Sequence, residues 1–386
     1  MQIYKLNNDI DLANLMHKLN VDKPGIEIMK KKHSIYIFYI KDISCGAANI
    51  LKQDALSIGA ELAVPIGVPN CKRKIFDAIL LCNQKQLEIL SKKELSQPFK
   101  LKELAKKLKE FINFPKFPLK IMGVINANDD SFFEGSRFSG IEAIKQIENM
   151  IENGAKIIDI GGVSSRPGSE YVGREEELKR VKPIIDEIYQ TKLYEKAIFS
   201  IDTFDEVVLE YALDRGFKIA NDITGLERDE YAKVVAKYGA NVVIMHKKGT
   251  PKDMQINPFY ENVILEVDEF FRKRIEKAKS FGIRDIILDV GIGFGKRLQD
   301  NIALIKHLEH FLHFGYELLV GASRKSMIDM IMKKEGISTT PAERLPGTLA
   351  IHIESVRNGA SIIRCHDVKE HFQALKVFEE IRKFDV

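Results

Sequence analysis

The sequence predicts an α/β protein: a (β/α)8 barrel, of the TIM type, preceded by a small α/β N-terminal domain. Three observations carry this. From Leu119 onward, apolar runs of strand length alternate with amphipathic stretches of helix length. Each run ends on a polar or charged group, which is where a barrel of this kind gathers its functional side chains. Ahead of them, Asn113-Phe-Pro-Lys-Phe-Pro118 places two prolines where helical continuity would otherwise run on, and marks a boundary near residue 115.

Residues 1–115 form the first expected unit. Ser34–Ile40 and Phe76–Leu81 have strand character, and Ala47–Gly59, Gln84–Ser91 and Leu101–Phe111 have helix character. No catalytic constellation stands out there. Lys52, Asp54 and Glu61 read as helix-surface charges, and the unit reads as a packing or oligomerisation appendage, with a contact to another enzyme as the sharper alternative. Residues 116–386 form the barrel. Its expected strands are Leu119–Asn126, Ala155–Ile160, Ala197–Asp202, Lys218–Asp222, Asn241–His246, Asp285–Asp289, Glu317–Gly321 and Ser361–Cys365. Eight units in about 270 residues suit the barrel. An open doubly wound sheet would not need a polar group at nearly every strand end.

The stretch Asp285–Lys296 shows the pattern most sharply. The apolar run Ile286–Leu288 stops on Asp289, and Gly291, Gly293 and Gly295 then alternate with larger residues before Lys296. The glycines leave a permissive backbone that a flat ligand could approach closely. The spacing is neither that of a P-loop nor that of a dinucleotide fingerprint. A plain strand-to-helix turn is the competing reading for this stretch, as a helix cap is for each Asp or Asn at a strand end.

Composition narrows the function. Of 386 residues, 45% are hydrophobic and 30% charged, with a net charge of +4, which gives no reason to expect a nucleic-acid or membrane surface. The N-terminus lacks a signal-peptide pattern, and no apolar run approaches the roughly 20 residues of a membrane span. The four cysteines contain no Cys-x-x-Cys pair, so zinc and thioredoxin-like readings fail on spacing. A reduced, cytoplasmic protein is expected.

The strand ends mix carboxylates and amides (Asn126, Asp202, Asn221, Asp289) with cationic or donor groups (Arg166, Lys325, Arg364, His366). Nothing points to a Ser-His-Asp or Cys-His nucleophile. Arginine and histidine on loops suit a phosphate or diphosphate, and Asn126 offers a neutral oxygen to magnesium, which needs few protein ligands there. A carboxylate such as Asp289 suits a heterocycle edge with adjacent N–H donors.

These residues lie in ordered strings that resemble dihydropteroate synthase of folate biosynthesis across Leu119–Val386. They are Ile121-Met-Gly-Val-Ile-Asn126, Asp159-Ile-Gly-Gly162 with Ser165-Arg-Pro-Gly168, Ser200-Ile-Asp-Thr203, and Asn221-Asp-Ile223. Met245-His246, Gly293-Phe-Gly-Lys296, Ser323-Arg-Lys-Ser326 and Arg364-Cys-His-Asp-Val368 complete the set. The resemblance implies a sulfonamide-targeted transferase that joins 6-hydroxymethyl-7,8-dihydropterin diphosphate to p-aminobenzoate with Mg2+ as cofactor. It implies catalytic roles for Asp202, Lys325 and Asn126, and a pterin site of Asp202, Asn221, Met245, Asp289, Phe294, Gly321 and Lys325. It also implies a diphosphate site of Asn126, Arg166, Arg364 and His366, with Asn126 the metal ligand. The p-aminobenzoate site would be Phe132, Ser165, Pro167, Lys325 and Ser326, and the enzyme a homodimer.

The sequence departs from the family pattern at Ala127-Asn-Asp129, Val163 and Val290. The first two departures put loop closure and sulfonamide sensitivity in question. A pterin barrel serving a corrinoid methyltransferase is the nearest enzymatic rival, and a non-catalytic pterin-binding barrel is the rival of another class.

Overall fold

A computed structural model of the chain describes residues 1–127, 141–163, 171–249, 254 and 256–383. It divides into two compact units, Met1–Phe114 with Glu379–Val386, and Pro115–Phe378.

In the first unit, three antiparallel strands, β1 (Ile35–Ser44), β2 (Glu61–Ala63) and β3 (Ile75–Asn83), pair in the order β1-β3-β2. One face of the sheet packs with helices Cys45–Leu56, Gln84–Lys93 and Leu101–Glu110 around Leu51, Leu80, Leu87 and Leu90. β1 runs past the expected end at Ile40 because a bulge absorbs Lys41-Asp42: the pairing slips between Ile40 and Ile43, and Asp42 takes φ 57°. β2 and the short helices Leu12–Lys18 and Lys23–Met29 carried too little periodicity to be expected from sequence. Helix Gln84–Lys93 starts at a reciprocal cap, in which the Asn83 side chain accepts from the Gln86 amide and the Gln86 side chain from the Asn83 amide.

The reduced state expected for the cysteines is corrected here. Cys45 and Cys71 form a disulfide across Cα atoms 5.5 Å apart, while Cys82 and Cys365 are free and buried. A separation of 26 residues leaves no local spacing signal, so only the fold could bring the pair together.

In the second unit, eight parallel strands close in the order β10-β11-β4-β5-β6-β7-β8-β9. They are β4 (Lys120–Asn126), β5 (Ile157–Gly161), β6 (Ile198–Asp202), β7 (Ile219–Asp222), β8 (Asn241–Met245), β9 (Ile286–Asp289), β10 (Glu317–Val320) and β11 (Ile362–Cys365). All eight expected strands are present, within two residues at either end. Side chains on a strand alternate between faces. One set faces the helices and forms the larger core, including Ile125, Ile158, Phe199, Ile201 and Leu288. The other set fills the barrel, where Met122, Ile157, Ile219, Val243, Ile287, Leu319 and Ile362 form a separate apolar floor. Two residues further along, four of these strands carry Asp159, Asn221, Asp289 and Arg364 on the same face, and on β6 Asp202 sits two past Ser200. Period-two alternation therefore stacks a polar layer on an apolar one. No helix among the described residues is long and apolar enough to cross a membrane.

The floor supports everything above it. Ile287→Ala, which hollows a residue 2% exposed, is expected to destabilise the barrel unit by about 2–5 kcal/mol, read as a lower denaturant midpoint with an unchanged slope.

Candidate active site

Hydrogen-bonded register aligns the strand ends. Asn126 lies beside Gly161, Gly161 beside Asp202, and Asp202 beside Asn221 on four successive strands. A Cβ on Gly161 would stand 3.7 Å from Asn126 Oδ1 and 3.8 Å from Asp202 Oδ2, so the amide and carboxylate oxygens flank one small gap.

Arg364 occupies the middle of the polar layer. Its Nε donates to Asp159 Oδ2 at 2.7 Å, and its Nη2 reaches Asp159 Oδ2 at 2.7 Å and Asp202 Oδ2 at 2.8 Å. Asn221 Nδ2 donates to the same Asp159 oxygen at 2.9 Å. Among the described residues Asp159 Oδ1 is buried without a hydrogen-bond partner, an acceptor left for a ligand or water. Burial pushes the Asp202 carboxyl up to about 7, against the pull of Arg364. Asp159 was not among the residues expected to act. Its signals were a carboxylate set inside the apolar run Ile157–Ile160 and its place in the string Asp159-Ile-Gly-Gly162.

The β9 loop forms the adjoining wall. Asp289 is 8% exposed and accepts the Gly291 amide on Oδ1 at 2.8 Å. Its carboxyl is raised by burial, a shift held back by that amide and by Lys325. Lys325 donates to the Ile292 carbonyl and stands 4.6 Å from the Phe294 ring centre. Burial lowers the Lys325 ammonium to about 8, which Asp289 opposes. Gly293 is the glycine that meets Lys325, at 3.2 Å from a built Cβ.

The other two glycines serve the protein rather than a ligand, which corrects the expectation drawn from this stretch. At Gly291 (φ 67°) a Cβ would fall 1.9 Å from the His246 carbonyl oxygen, and at Gly295 (φ 62°) 2.1 Å from that of Lys248. The β8 and β9 loops pack backbone to backbone. Lys296 locks them, donating to the carbonyls of His246 (3.1 Å), Gly291 (2.9 Å) and Phe294 (3.0 Å). Burial pulls Lys296 down to about 7, while three carbonyl acceptors match the three N–H bonds of its charged form.

On the β10 and β11 side, Ser323 Oγ lies 2.9 Å from His366 Nδ1 and accepts the His366 amide at 3.4 Å. A Ser323 hydroxyl donating to Nδ1 would leave the ring proton on Nε2, on the rim side. Burial, and next Arg364, lower the His366 imidazole to about 4, which favours the neutral ring. Arg324 grips Asp367 with two bonds of 2.9 and 2.6 Å and caps the carbonyls of Pro341 and Ala342, from a left-handed φ of 56°. Such a backbone persists where contacts over-determine it.

The structure thus brings Asn126, Asp202, Asn221, Asp289, Lys325, Arg364 and His366 to one rim. Met245 ends β8 at 4% exposure, Phe294 is half-buried, and Gly321 lies over the Arg364 stem. Ser326 opens helix Ser326–Met332 and is exposed. Phe132, Ser165, Arg166 and Pro167 lie outside the described residues, as do Asn128 and Asp129. Val163 and Val290 lie within them, and Val290 is fully buried.

A closed barrel whose strand ends hold carboxylates and cations in one buried layer is an enzyme of the small-molecule-binding (β/α)8 class. Comparison with known proteins gives the particular family. Residues 122–366 match the family model described as Pterin binding enzyme. Over 386 residues the chain is 42% identical to the bifunctional dihydropteroate synthase/dihydropteroate reductase of Helicobacter pylori, covering 100% of each. It is 41% identical over 262 residues to the dihydropteroate synthase of Escherichia coli, covering 67% of this chain and 90% of that one. The solved Yersinia pestis dihydropteroate synthase, in complex with a sulfonamide drug, matches with a TM-score of 0.65 at 36% identity. That match covers 69% of this chain and 95% of the other. The chain belongs to the pterin-binding enzymes and, within them, to the dihydropteroate synthase family of transferases.

The loop packing makes a direct prediction. Gly291→Ala must move either its own backbone or the His246 carbonyl, and is expected to cost at least about 2 kcal/mol. Thermal unfolding should show this as a clear fall in Tm, whereas Gly239→Ala, whose Cβ meets nothing within 4 Å, should show only the smaller cost of its left-handed backbone.

Proposed function

We propose that the chain condenses 6-hydroxymethyl-7,8-dihydropterin diphosphate with p-aminobenzoate, giving 7,8-dihydropteroate and pyrophosphate. The observation that carries this reading is the single buried layer in which Asp289 stands with Lys325 and Asp202 with Arg364. Such a layer suits a ligand that is a polar heterocycle at one end and an anion at the other. Asp289 accepts from the N–H edge of the pterin, with Asn221, Lys325 and Gly321 around it and Met245 and Phe294 along its faces. Arg364, the Nε2–H of His366 and Arg166 hold the diphosphate.

The bond from the exocyclic carbon to the diphosphate oxygen breaks first, and its electron pair leaves with pyrophosphate. Asp202 stabilises the positive charge left on the pterin. The neutral arylamine then forms the C–N bond and releases a proton to solvent. Ser326, Lys325, Phe132, Ser165 and Pro167 form the p-aminobenzoate end. Preorganised charge does the work, and no strong general base is required.

Magnesium fits the donor set. Asn126 Oδ1 and Asp202 Oδ2 are hard oxygens facing one gap over Gly161, and an ion that keeps most of its water needs little more. Asn126 would hold it, and it would supply charge neutralisation at the diphosphate. A homodimer formed through the last barrel helices belongs to the same reading, supported by Phe372 and Val377, exposed on helix Val368–Lys383.

A second activity is favoured by one observation. Similarity to the Helicobacter protein runs through residues 1–115 as well as the barrel, whereas the Escherichia coli synthase matches 67% of the chain. In this reading the N-terminal unit supports reduction of the dihydropteroate C=N bond, which requires a hydride donor such as a reduced nicotinamide or flavin.

Purified protein with magnesium and the pterin diphosphate should release pyrophosphate only when p-aminobenzoate is present; arylamine-independent release or none overturns the synthase reading. The value of kcat/KM should fall as pH drops through about 7, because Asp202 becomes neutral below that value and loses the charge the cation needs. Asp202→Asn should flatten that limb at a much lower rate. For the second activity, dihydropteroate plus reduced nicotinamide, with and without flavin, should give tetrahydropteroate with the full chain. A chain that forms dihydropteroate but never reduces it with either donor has the synthase activity alone.

A further inference from the structure

Away from the strand-end loops, the helical layer of the barrel unit holds a second cluster of chemistry-bearing side chains. Helix Val263–Ser280 contributes Asp268, and the 3-10 segment Leu308–Phe314 contributes His310 and His313. A 3-10 helix turns every three residues, so side chains three apart project on one side. His310 Nε2 stands 3.2 Å and His313 Nε2 2.6 Å from the same atom, Asp268 Oδ1. One atom from each residue lies within 4.8 Å of the other two. The His313 ring packs on Phe314 at 4.0 Å between centres, and the His310 ring meets Phe311 edge-on at 5.1 Å, so neighbouring rings hold both imidazoles. Arg272 donates to the other Asp268 oxygen at 2.8 Å and fixes the carboxylate plane. The His313 side chain is 1% exposed and that of His310 25%, so the cluster is closed behind and open in front.

We propose that Asp268, His310 and His313 bind a divalent transition-metal ion, with zinc the best match, and that the ion ties the helix to the 3-10 segment. Two imidazoles and one carboxylate suit zinc, whereas magnesium and calcium prefer all-oxygen sites. In a tetrahedral zinc site with bonds near 2.0–2.1 Å, donor atoms stand about 3.3 Å apart. The Asp268–His310 spacing of 3.2 Å already meets this, and His313, at 2.6 Å, must draw back by about 0.7 Å. Water or another donor completes the coordination. Arg272 acts as the outer partner that orients a ligating carboxylate, and its charge moderates the affinity. The site is independent of the proposed reaction, so its test does not use turnover of the synthase as the readout.

The test titrates chelator-stripped full-length protein with Co2+, followed by visible absorption, and with Zn2+, followed by calorimetry. The expected result is one ion per chain and the ligand-field bands of four- or five-coordinate cobalt. His310→Gln and His313→Gln should each weaken binding by at least about tenfold, while Asn126→Ala at the rim leaves it intact. Zinc should raise the Tm of the unsubstituted protein but not that of His310→Gln, whose synthase turnover should be unchanged. His310 is partly exposed, so its variant decides the matter even if the buried His313 variant fails to fold. Absence of the cobalt bands, unchanged affinity in His310→Gln, or loss of binding in Asn126→Ala overturns the proposal.

Discussion

One guanidinium holds the polar layer of this barrel together. From β11, Arg364 reaches across the barrel to Asp159 and Asp202 on the neighbouring strands β5 and β6, neither of which adjoins its own, and Asn221 closes the group from a fourth strand. Each carboxylate taken alone would carry a large desolvation cost there, and removing the arginine would strand both, at about 3–5 kcal/mol. The network does not maximise stability, since an apolar substitute of the same volume can do as well or better. Its effect is positional: it fixes three charged groups at the strand ends, where the proposed reaction would use them.

The neighbouring wall is held by a different device. Lys296 spends its charge on three backbone carbonyls, and Gly291 and Gly295 let two loops approach closer than any side chain would allow. Lys325, a partly exposed lysine of the same region, stands near Asp289 and over Phe294. The two lysines thus differ in their surroundings, Lys296 almost fully buried and Lys325 partly exposed. Lys296 gives all three N–H bonds to loop carbonyls, whereas Lys325 donates to the Ile292 carbonyl, stands over the Phe294 ring and feels the charge of Asp289.

Much of this was legible in the sequence. Strand positions were, because buried parallel strands give short apolar runs and each ends where the chain needs a polar turn. So was the set of rim residues, since alternation along a strand places every second side chain inside the barrel. What was not legible depends on contacts far apart in the chain. Asp159 looked like one more strand-end residue until Arg364, 205 positions later, was found on it. Gly291 and Gly295 looked like room for a ligand, because only the fold shows the His246 and Lys248 carbonyls against them. The Cys45–Cys71 bond and the Asp268–His310–His313 cluster likewise join segments with no shared local pattern.

The balance at Asp202 links the resting structure to the proposed chemistry. Burial favours its neutral form and Arg364 favours its charged form, leaving the carboxyl poised near neutrality. An anionic diphosphate bound beside Arg364 would draw off part of that support and push Asp202 further toward protonation. Positive charge spreading over the heterocycle would act in the other direction. In the proposed mechanism the carboxylate would therefore be least comfortable when the substrate is intact and best satisfied when the leaving group has begun to depart. An interaction that strengthens along the reaction coordinate lowers the barrier, whereas one equally strong at both ends does not. Under the proposed mechanism Asp202 would meet that requirement because it is buried, and a solvated carboxylate at the same position would not.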